Sequence, residues 1–150
     1  MEFLSRTESL IGKDSINKLK SSTVAIFGIG GVGSFAAEAL GRCGIGRLVL
    51  VDYDIINETN INRQIHSTNK TIGRPKVQVM KERLIDINPN MVVNIYSEKY
   101  CENTSKILIS TDYDYVIDAI DMISSKIDLI VKCIEAKIPI VSSMGAGNKL

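Results

Sequence analysis

Residues 24–33, Val-Ala-Ile-Phe-Gly-Ile-Gly-Gly-Val-Gly, constrain this chain more than any other stretch. Val24–Phe27 has the composition of a buried strand, and small residues suited to a helix follow the glycines at Ala36, Ala37, Ala39 and Leu40. Strand, glycine turn and helix form the context that the nucleotide fingerprint G-x-G-x-x-G requires. Each glycine has a physical task. Gly28 permits the tight turn out of the strand, Gly30 lets a phosphate reach the backbone, and Gly33 lets the helix pack close to the sheet. Free N–H groups and the helix dipole then favour an anion at this point. The motif alone does not say which nucleotide binds.

The rest of the chain reads as alternating strands and helices within one domain spanning residues 1–150. Residues 1 to about 20 read as two helical pieces broken at Gly12, with Asp14 as N-cap of the second and Leu10, Ile11, Ile16 and Leu19 as the apolar face. The first helix after the glycines ends at Gly44-Ile45-Gly46. Strands are expected at Leu48–Val51, Met91–Tyr96, Tyr115–Ile117 and Pro139–Ser143. Helices are expected from Pro75 at the first helical position to Asn88-Pro89, over 102–110 with Ile107, Leu108 and Ile109 packing, and over 123–136 with Ile127, Ile130, Val131 and Ile134 inward. The stripe of the helix after Pro75 is Val77, Met80, Leu84 and Ile87. This order predicts an α/β fold with a doubly wound, mainly parallel, Rossmann-like sheet.

Composition narrows the function classes. Hydrophobic residues make up 45%, enough for a core, and 18 basic against 17 acidic residues leave a charge of +1. That balance gives no reason to expect a nucleic-acid or membrane surface. Cys43, Cys101 and Cys133 are too few and scattered for a disulfide framework or zinc site, and Cys43 and Cys133 read as helix packing. Glu2, Arg6 and Glu8 argue against a signal peptide, no apolar run suffices for a membrane span, and the cytoplasm is the expected location. The strand at Pro139–Ser143 leads into Gly145-Ala146-Gly147 with nothing to pack behind that loop. The expectation is the N-terminal part of a longer protein.

Polar residues cluster where ligands bind in such sheets, beyond the strands' carboxyl ends. Asp52 and Asp54 follow the second strand, where a carboxylate meets ribose hydroxyls and a second carboxylate serves a metal or another hydroxyl. A polar loop contains Asn60-Ile61-Asn62-Arg63-Gln64-Ile65-His66. Arg63 offers a planar fork suited to phosphate, and Asn62 and Gln64 suit a base, a phosphate or the loop itself. His66, the one histidine, reads as structural. Lys76 opposes the dipole in its helix's first turn, which an anion nearby would offset. Asp118 reads as a loop-orienting residue and Asp121 as a carboxylate for Mg²⁺ or the phosphate side. Arg6 reads as a solvated surface arginine.

Gly28-x-Gly30-Gly31-x-Gly33, Leu50-Val51-Asp52-x-Asp54, Asn60-x-Asn62-Arg63-Gln64, Gly73-x-x-Lys76, Asn88-Pro89 and Asp118-x-x-Asp121 occur in that order. Together they resemble the ThiF/MoeB/HesA superfamily, adenylating enzymes related to ubiquitin-activating enzyme, from Arg6 to Gly147. Thr59–His66, Asp118-Ala119-Ile120-Asp121, Lys126 and Gly145-Ala146-Gly147 look most like its tRNA threonylcarbamoyladenosine dehydratase branch. Met122 and Lys126 stand where the sulfur-carrier-activating branches would carry asparagine and arginine.

The resemblance implies ATP, not NAD, over Gly28, Gly30, Gly31 and Gly33. It implies Asp52 and Asp54 at the ribose and its loop, Asn62, Arg63, Gln64 and Lys76 around the nucleotide, and Mg²⁺ on Asp121. Arg63 and Lys76 would stabilise charge as pyrophosphate leaves. Arg6 matches an arginine that reaches into the partner subunit's site, which implies a homodimer. The implied reaction is ATP-dependent cyclisation of threonylcarbamoyladenosine in tRNA through an adenylated carboxylate. A sulfur-relay or cysteine desulfurase partner is a further expectation. The alternatives are adenylation of a sulfur-carrier protein's C-terminal glycine, a non-catalytic nucleotide-binding fragment, and an NAD-dependent oxidoreductase, which has no use for Arg63 with Lys76.

Overall fold

The computed structural model describes residues 2–145. A short 3₁₀ turn, Glu2–Leu4, leads into α1 (Ser5–Ile11) and α2 (Lys13–Ser21). Five strands follow: β1 (Thr23–Phe27), β2 (Arg47–Val51), β3 (Val92–Tyr96), β4 (Tyr115–Asp118) and β5 (Ile140–Ser142). Between them lie α3 (Gly33–Cys43), α4 (Lys76–Ile87), α5 (Glu102–Leu108) and α6 (Ile123–Glu135). The sheet order is β3-β2-β1-β4-β5 and every pairing is parallel, with Ala25 opposite both Val49 and Val116. The expected doubly wound α/β fold is therefore present. The chain winds outward from β1 to β3, then restarts beside β1 at β4, so a crevice opens at the carboxyl ends of β1 and β4.

Alternation along the strands builds the two halves of the core. Val24, Ile26, Leu48 and Leu50 face Ala37 of α3 and Val77, Met80 and Leu84 of α4. Ala25, Phe27, Val49 and Val51 face Leu108 of α5 and Leu129 and Cys133 of α6. Burial pushes the Cys133 thiol up to about 11, consistent with a packing role. Among the described residues, no helix is long and apolar enough to cross a membrane.

Several local expectations need correction. Asp14 is not the N-cap of α2: Gly12 occupies that position and Asp14 lies in the first turn. Leu10 is 84% exposed and Ile11 is exposed too, whereas Ile16 is buried. Pro75 is the N-cap of α4 rather than its first residue, because its extended backbone bridges to Ile55. Ile107 faces outward on α5, and only Leu108 of that helix's apolar residues is fully buried. Ile127, Val131 and Ile134 are exposed, while Ser125, Lys126, Leu129 and Cys133 are the buried residues of α6. That helix carries two apolar stripes, and the sheet covers the one containing Leu129 and Cys133. Cys43 is exposed at the end of α3. Ala146 and Gly147, expected in a loop after β5, lie outside the described residues.

His66 is packed inside the fold. It is 2% exposed, and neither ring nitrogen has a hydrogen-bond partner among the described residues. Burial, with the positive charges of Lys76 and Arg83 adding to it, pushes its pKa down from 6.5 to about 4. The unfolded chain takes up this proton at higher pH than the folded one. The neutral ring's support for folding is thus complete above pH 6.5 and is lost as pH falls toward about 4. On the order of 2–3 kcal/mol should disappear across that window. Urea unfolding from about pH 7 to pH 4 should show this loss, and His66→Leu should flatten it; parallel pH slopes for the two proteins would contradict the assignment.

Candidate functional site

The crevice at the ends of β1 and β4 is a cleft of about 510 Å³. Its floor is the glycine turn. Gly28 adopts φ +89°, and a Cβ there would lie 2.6 Å from the carbonyl oxygen of Ala119, so the loop after β4 closes onto it. A Cβ on Gly33 would lie 1.8 Å from the Gly28 carbonyl oxygen. Gly33 therefore lets α3 start directly beneath the turn and does not line the cleft. Gly30 and Gly31 do line it, and the nearest atom to a Cβ on Gly30 is Gln64 Nε2 at 3.8 Å. The turn delivers the N-terminus of an 11-residue helix to the cleft, a favourable place for an anion.

Asp52 fixes this turn. Its Oδ2 accepts a hydrogen bond from Ile29 N at 2.6 Å and its Oδ1 one from Asp54 N at 2.8 Å. Burial raises the Asp52 pKa, outweighing the two backbone hydrogen bonds and nearby Lys76. Asp54 in turn receives Lys76 Nζ at 2.8 Å on Oδ2, and its carbonyl accepts Lys76 N at 3.0 Å. The Lys76 side chain is only 7% exposed. The first turn of α4 thus holds its ammonium against the cleft, next to a carboxylate.

The loop after β2 forms the opposite wall. Asn57 N donates to Asn60 Oδ1 at 2.9 Å, and Asn60 O accepts from Arg63 N at 3.1 Å and Gln64 N at 2.9 Å. Asn60 is buried and lines the cleft, whereas Asn62 is exposed and does not. Asn62 acts on the site indirectly, since its Oδ1 accepts from Arg63 Nη1 at 3.0 Å, and Thr59 O accepts from the same nitrogen at 2.9 Å. Arg63 lies over Gly31, 3.6 Å from the position of a Cβ there. Gln64 is buried with Oε1 unpartnered, and it also lines the cleft. Behind this wall, Arg83 of α4 grips Glu38 of α3 through Nε at 2.6 Å and Nη2 at 3.0 Å, which ties the helix beneath the glycine turn to the helix bearing Lys76.

The third wall follows β4 and β5. Asp121, exposed, lines the cleft with Ala119, Ile120, Met122, Ser143, Met144 and Gly145. Asp118 points away from it and is fully buried in an ion pair with Lys126 at 2.7 Å. Arg6 sits on α1 and is not among the residues lining the cleft. Tyr53, Glu98, Lys99 and Tyr100, which no sequence motif marks, also line it. Lys99 Nζ lies 5.6 Å from the Tyr53 ring centroid, and Tyr100 donates to Asp128 at 2.8 Å. Only the pairing of β2 with β3 brings these residues together; no local pattern marks them.

The arrangement gathers backbone amides, an arginine and a lysine on one side and a carboxylate on the other. Among the described residues, no group of three or more His, Cys, Asp or Glu side chains could hold a metal. Asp121 suits Mg²⁺ in another way, since that ion commonly binds one or two protein carboxylates and completes its shell with phosphates and water. Among the described residues, no cysteine or histidine lines the cleft, and Ser125 Oγ is committed to Tyr100 O at 3.0 Å. The site is equipped to bind and polarise phosphate rather than to form a covalent link to a side chain.

Known proteins resemble this chain in sequence and fold. A tRNA threonylcarbamoyladenosine dehydratase of Bacillus subtilis is 52% identical over 145 residues, covering 97% of this chain and 57% of that protein. The crystal structure of the E. coli tRNA N6-threonylcarbamoyladenosine dehydratase, TcdA, in complex with ATP superposes with a TM-score of 0.96 at 40% identity, covering 99% of this chain and 61% of that one. The molybdopterin-synthase adenylyltransferase of E. coli is 33% identical, covering 86% of this chain and 51% of that protein. The chain thus spans about half the length of the curated relatives it matches. The ThiF family matches residues 4–149, and with the glycine turn, Asp52, Arg63, Lys76 and Asp121 assembled around one cleft, the chain belongs to the ThiF family.

Proposed function

We propose that this chain is the nucleotide-binding part of an ATP-dependent tRNA threonylcarbamoyladenosine dehydratase. The observation that carries the reading is the cleft itself: a glycine turn on a helix N-terminus, lined with Arg63 and Lys76 from the β2 side of the sheet and Asp121 from the β4 side. The B. subtilis and E. coli relatives of that name support it, as does the E. coli structure with ATP.

The chemistry matches what these residues supply. A carboxylate resists attack because oxide is a poor leaving group. The substrate carboxylate oxygen attacks the α-phosphorus of ATP, pyrophosphate departs, and an acyl adenylate forms. The substrate's own carbamoyl group then attacks the activated carbonyl and releases its N–H proton to solvent, AMP leaves with the former carboxylate oxygen, and the ring closes. The net change is loss of one water from the nucleoside. The chain's contribution is alignment and positive charge around phosphate. The Gly30 and Gly31 backbone cradles the phosphates, Arg63 stabilises developing negative charge, and Lys76 exchanges Asp54 for phosphate. Asp52 and Asp54 serve the ribose side. Asp121 would hold Mg²⁺, which neutralises phosphate charge when bound.

Arg6 does not line its own chain's cleft, so a catalytic part for it requires the cleft of a second copy, and we propose a homodimer. The cytoplasm is the proposed location. The similarity to molybdopterin-synthase adenylyltransferase favours a second reading, in which the carboxylate belongs to the C-terminal glycine of a ubiquitin-like sulfur-carrier protein. Both readings share the adenylation step and differ in the substrate.

The deciding experiment incubates the full-length protein with ATP, Mg²⁺ and tRNA carrying threonylcarbamoyladenosine, then measures the nucleoside mass. ATP-dependent loss of one water is expected. An unchanged mass, with pyrophosphate exchange appearing only when a carrier protein is added, would favour the second reading. Arg63→Ala and Lys76→Ala should each lower turnover at least about 100-fold with melting temperature nearly unchanged; wild-type rates would remove either residue from the site. Asp121→Asn should abolish Mg²⁺-dependent turnover, and retained activity would place the metal elsewhere. Gly30→Val should fold, since a Cβ there makes only an ordinary contact with Gln64 Nε2 at 3.8 Å, yet lose ATP binding by calorimetry. Normal affinity in that variant would contradict the phosphate cradle.

A further inference from the structure

The proposed reaction assigns no task to the buried pair Lys126 and Asp118. The Asp118 side chain is 0% exposed and that of Lys126 7%. A lysine ammonium carries three donors, and each has an acceptor here: Asp118 Oδ2 at 2.7 Å, Ser143 O at 2.8 Å and Ser142 Oγ at 3.2 Å. Asp118 is equally committed. Its Oδ1 accepts from Ile120 N at 3.0 Å, its Oδ2 accepts from Ser142 Oγ, and its carbonyl accepts from Ser143 N at 2.9 Å. No polar atom of this pair is left over to meet a ligand.

The network is nevertheless attached to the cleft at two places. Ile120 opens the segment Ile120–Met122 that carries Asp121, and Ser143 opens the segment Ser143–Gly145. These two segments follow the neighbouring, paired strands β4 and β5, and both line the cleft. The Lys126 ammonium and the Asp118 carboxylate together join them, one holding Ser143 O and the other Ile120 N. A buried ion pair is weak evidence for stability, because desolvation offsets much of the attraction and an apolar replacement of similar volume often serves as well. What it supplies is geometry, since four partners fix the Lys126–Asp118 unit in place. Arg63 and Lys76 share no hydrogen bond with this network among the described residues, and the glycine turn meets it only where Gly28 packs on Ala119 and Ile120.

Resting on the adenylating reading of the cleft, we propose that Lys126 is a positioning residue that sets the opening between these two segments. It thereby fixes the Asp121 carboxylate and the end of the cleft that takes the acyl part of the substrate. The consequence is a separation of effects. Disturbing the network should leave ATP affinity in place, because the phosphate-side groups are untouched, while weakening divalent-ion binding and slowing turnover. Small displacements of a reacting group from its aligned position cost about 100-fold in rate.

The test uses the full-length protein with Lys126→Met and the charge-neutral double variant Asp118→Asn/Lys126→Met, which avoids leaving an uncompensated buried carboxylate. Three quantities are read: ATP affinity by calorimetry, Mn²⁺ affinity of the ATP complex by electron paramagnetic resonance, and the dehydration rate at saturating ATP and tRNA. The expected result in a folded double variant is ATP affinity within about threefold of wild type, weaker Mn²⁺ binding, and a rate lower by about 10- to 100-fold. Wild-type Mn²⁺ affinity and rate would overturn the proposal. So would ATP affinity and rate falling together, which is the signature of a merely structural pair. Should both variants unfold, Ser142→Ala, which removes one arm of the network, should show the same separation at smaller size, and no separation there would overturn it. If wild type fails to dehydrate tRNA, the reading of the substrate falls, and the Mn²⁺ comparison still decides the role of Lys126.

Discussion

One buried carboxylate organises the cleft. Asp52 holds the glycine turn through Ile29 N and the following loop through Asp54 N. Asp54 then carries the Lys76 ammonium, and Lys76 N bonds back to the Asp54 carbonyl. A single side chain at the end of β2 thus sets the turn of β1 against the first residue of α4. The carboxylate is held there against the cost of burial, which raises the pKa of Asp52 despite two backbone donors. Of the two glycines that let this happen, Gly28 is fixed by its positive φ and by contact, and Gly33 by contact alone. Gly28 meets the backbone of Ala119, and Gly33 meets Gly28 itself.

The charge arrangement follows from that frame. Amides and the start of α3 favour negative charge, Arg63 and Lys76 reinforce it, and Asp121 faces them from the far wall. Lys76 is held beside a carboxylate that is 45% exposed, so an entering phosphate competes with a partner that water already solvates. The Glu38–Arg83 clamp braces α3 against α4 behind the cleft. It fixes the distance between the glycine turn and the lysine without touching either.

Much of this was legible in the sequence because it depends on local pattern. The strand-turn-helix around Gly28–Gly33, the left-handed Gly44 after α3 and the sheet's winding follow from short-range composition and spacing. Residues whose placement depends on long-range pairing were less legible. Asn60 and Asn62 have the same chemistry and differ by two positions. The reciprocal bond between Asn57 and Asn60 turns Asn60 inward and leaves Asn62 to support Arg63. The stripe Ile127, Val131 and Ile134 has the spacing of a core face, yet α6 offers a second stripe, and periodicity cannot tell which one the sheet covers. Leu10 presents the same problem on α1. Tyr53, Lys99 and Tyr100 reach the cleft only because β2 and β3 pair in register, which no window of sequence encodes.

The central claim is that the cleft activates a carboxylate by transferring AMP to it. The most direct measurement labels the carboxylate of threonylcarbamoyladenosine in tRNA with ¹⁸O and follows the label through a single turnover with ATP. Adenylation predicts that one labelled oxygen leaves in AMP. Label appearing in inorganic phosphate would mean an acyl phosphate formed instead, and label released only to water would mean that no phosphorylated carboxylate forms; either result would contradict the account.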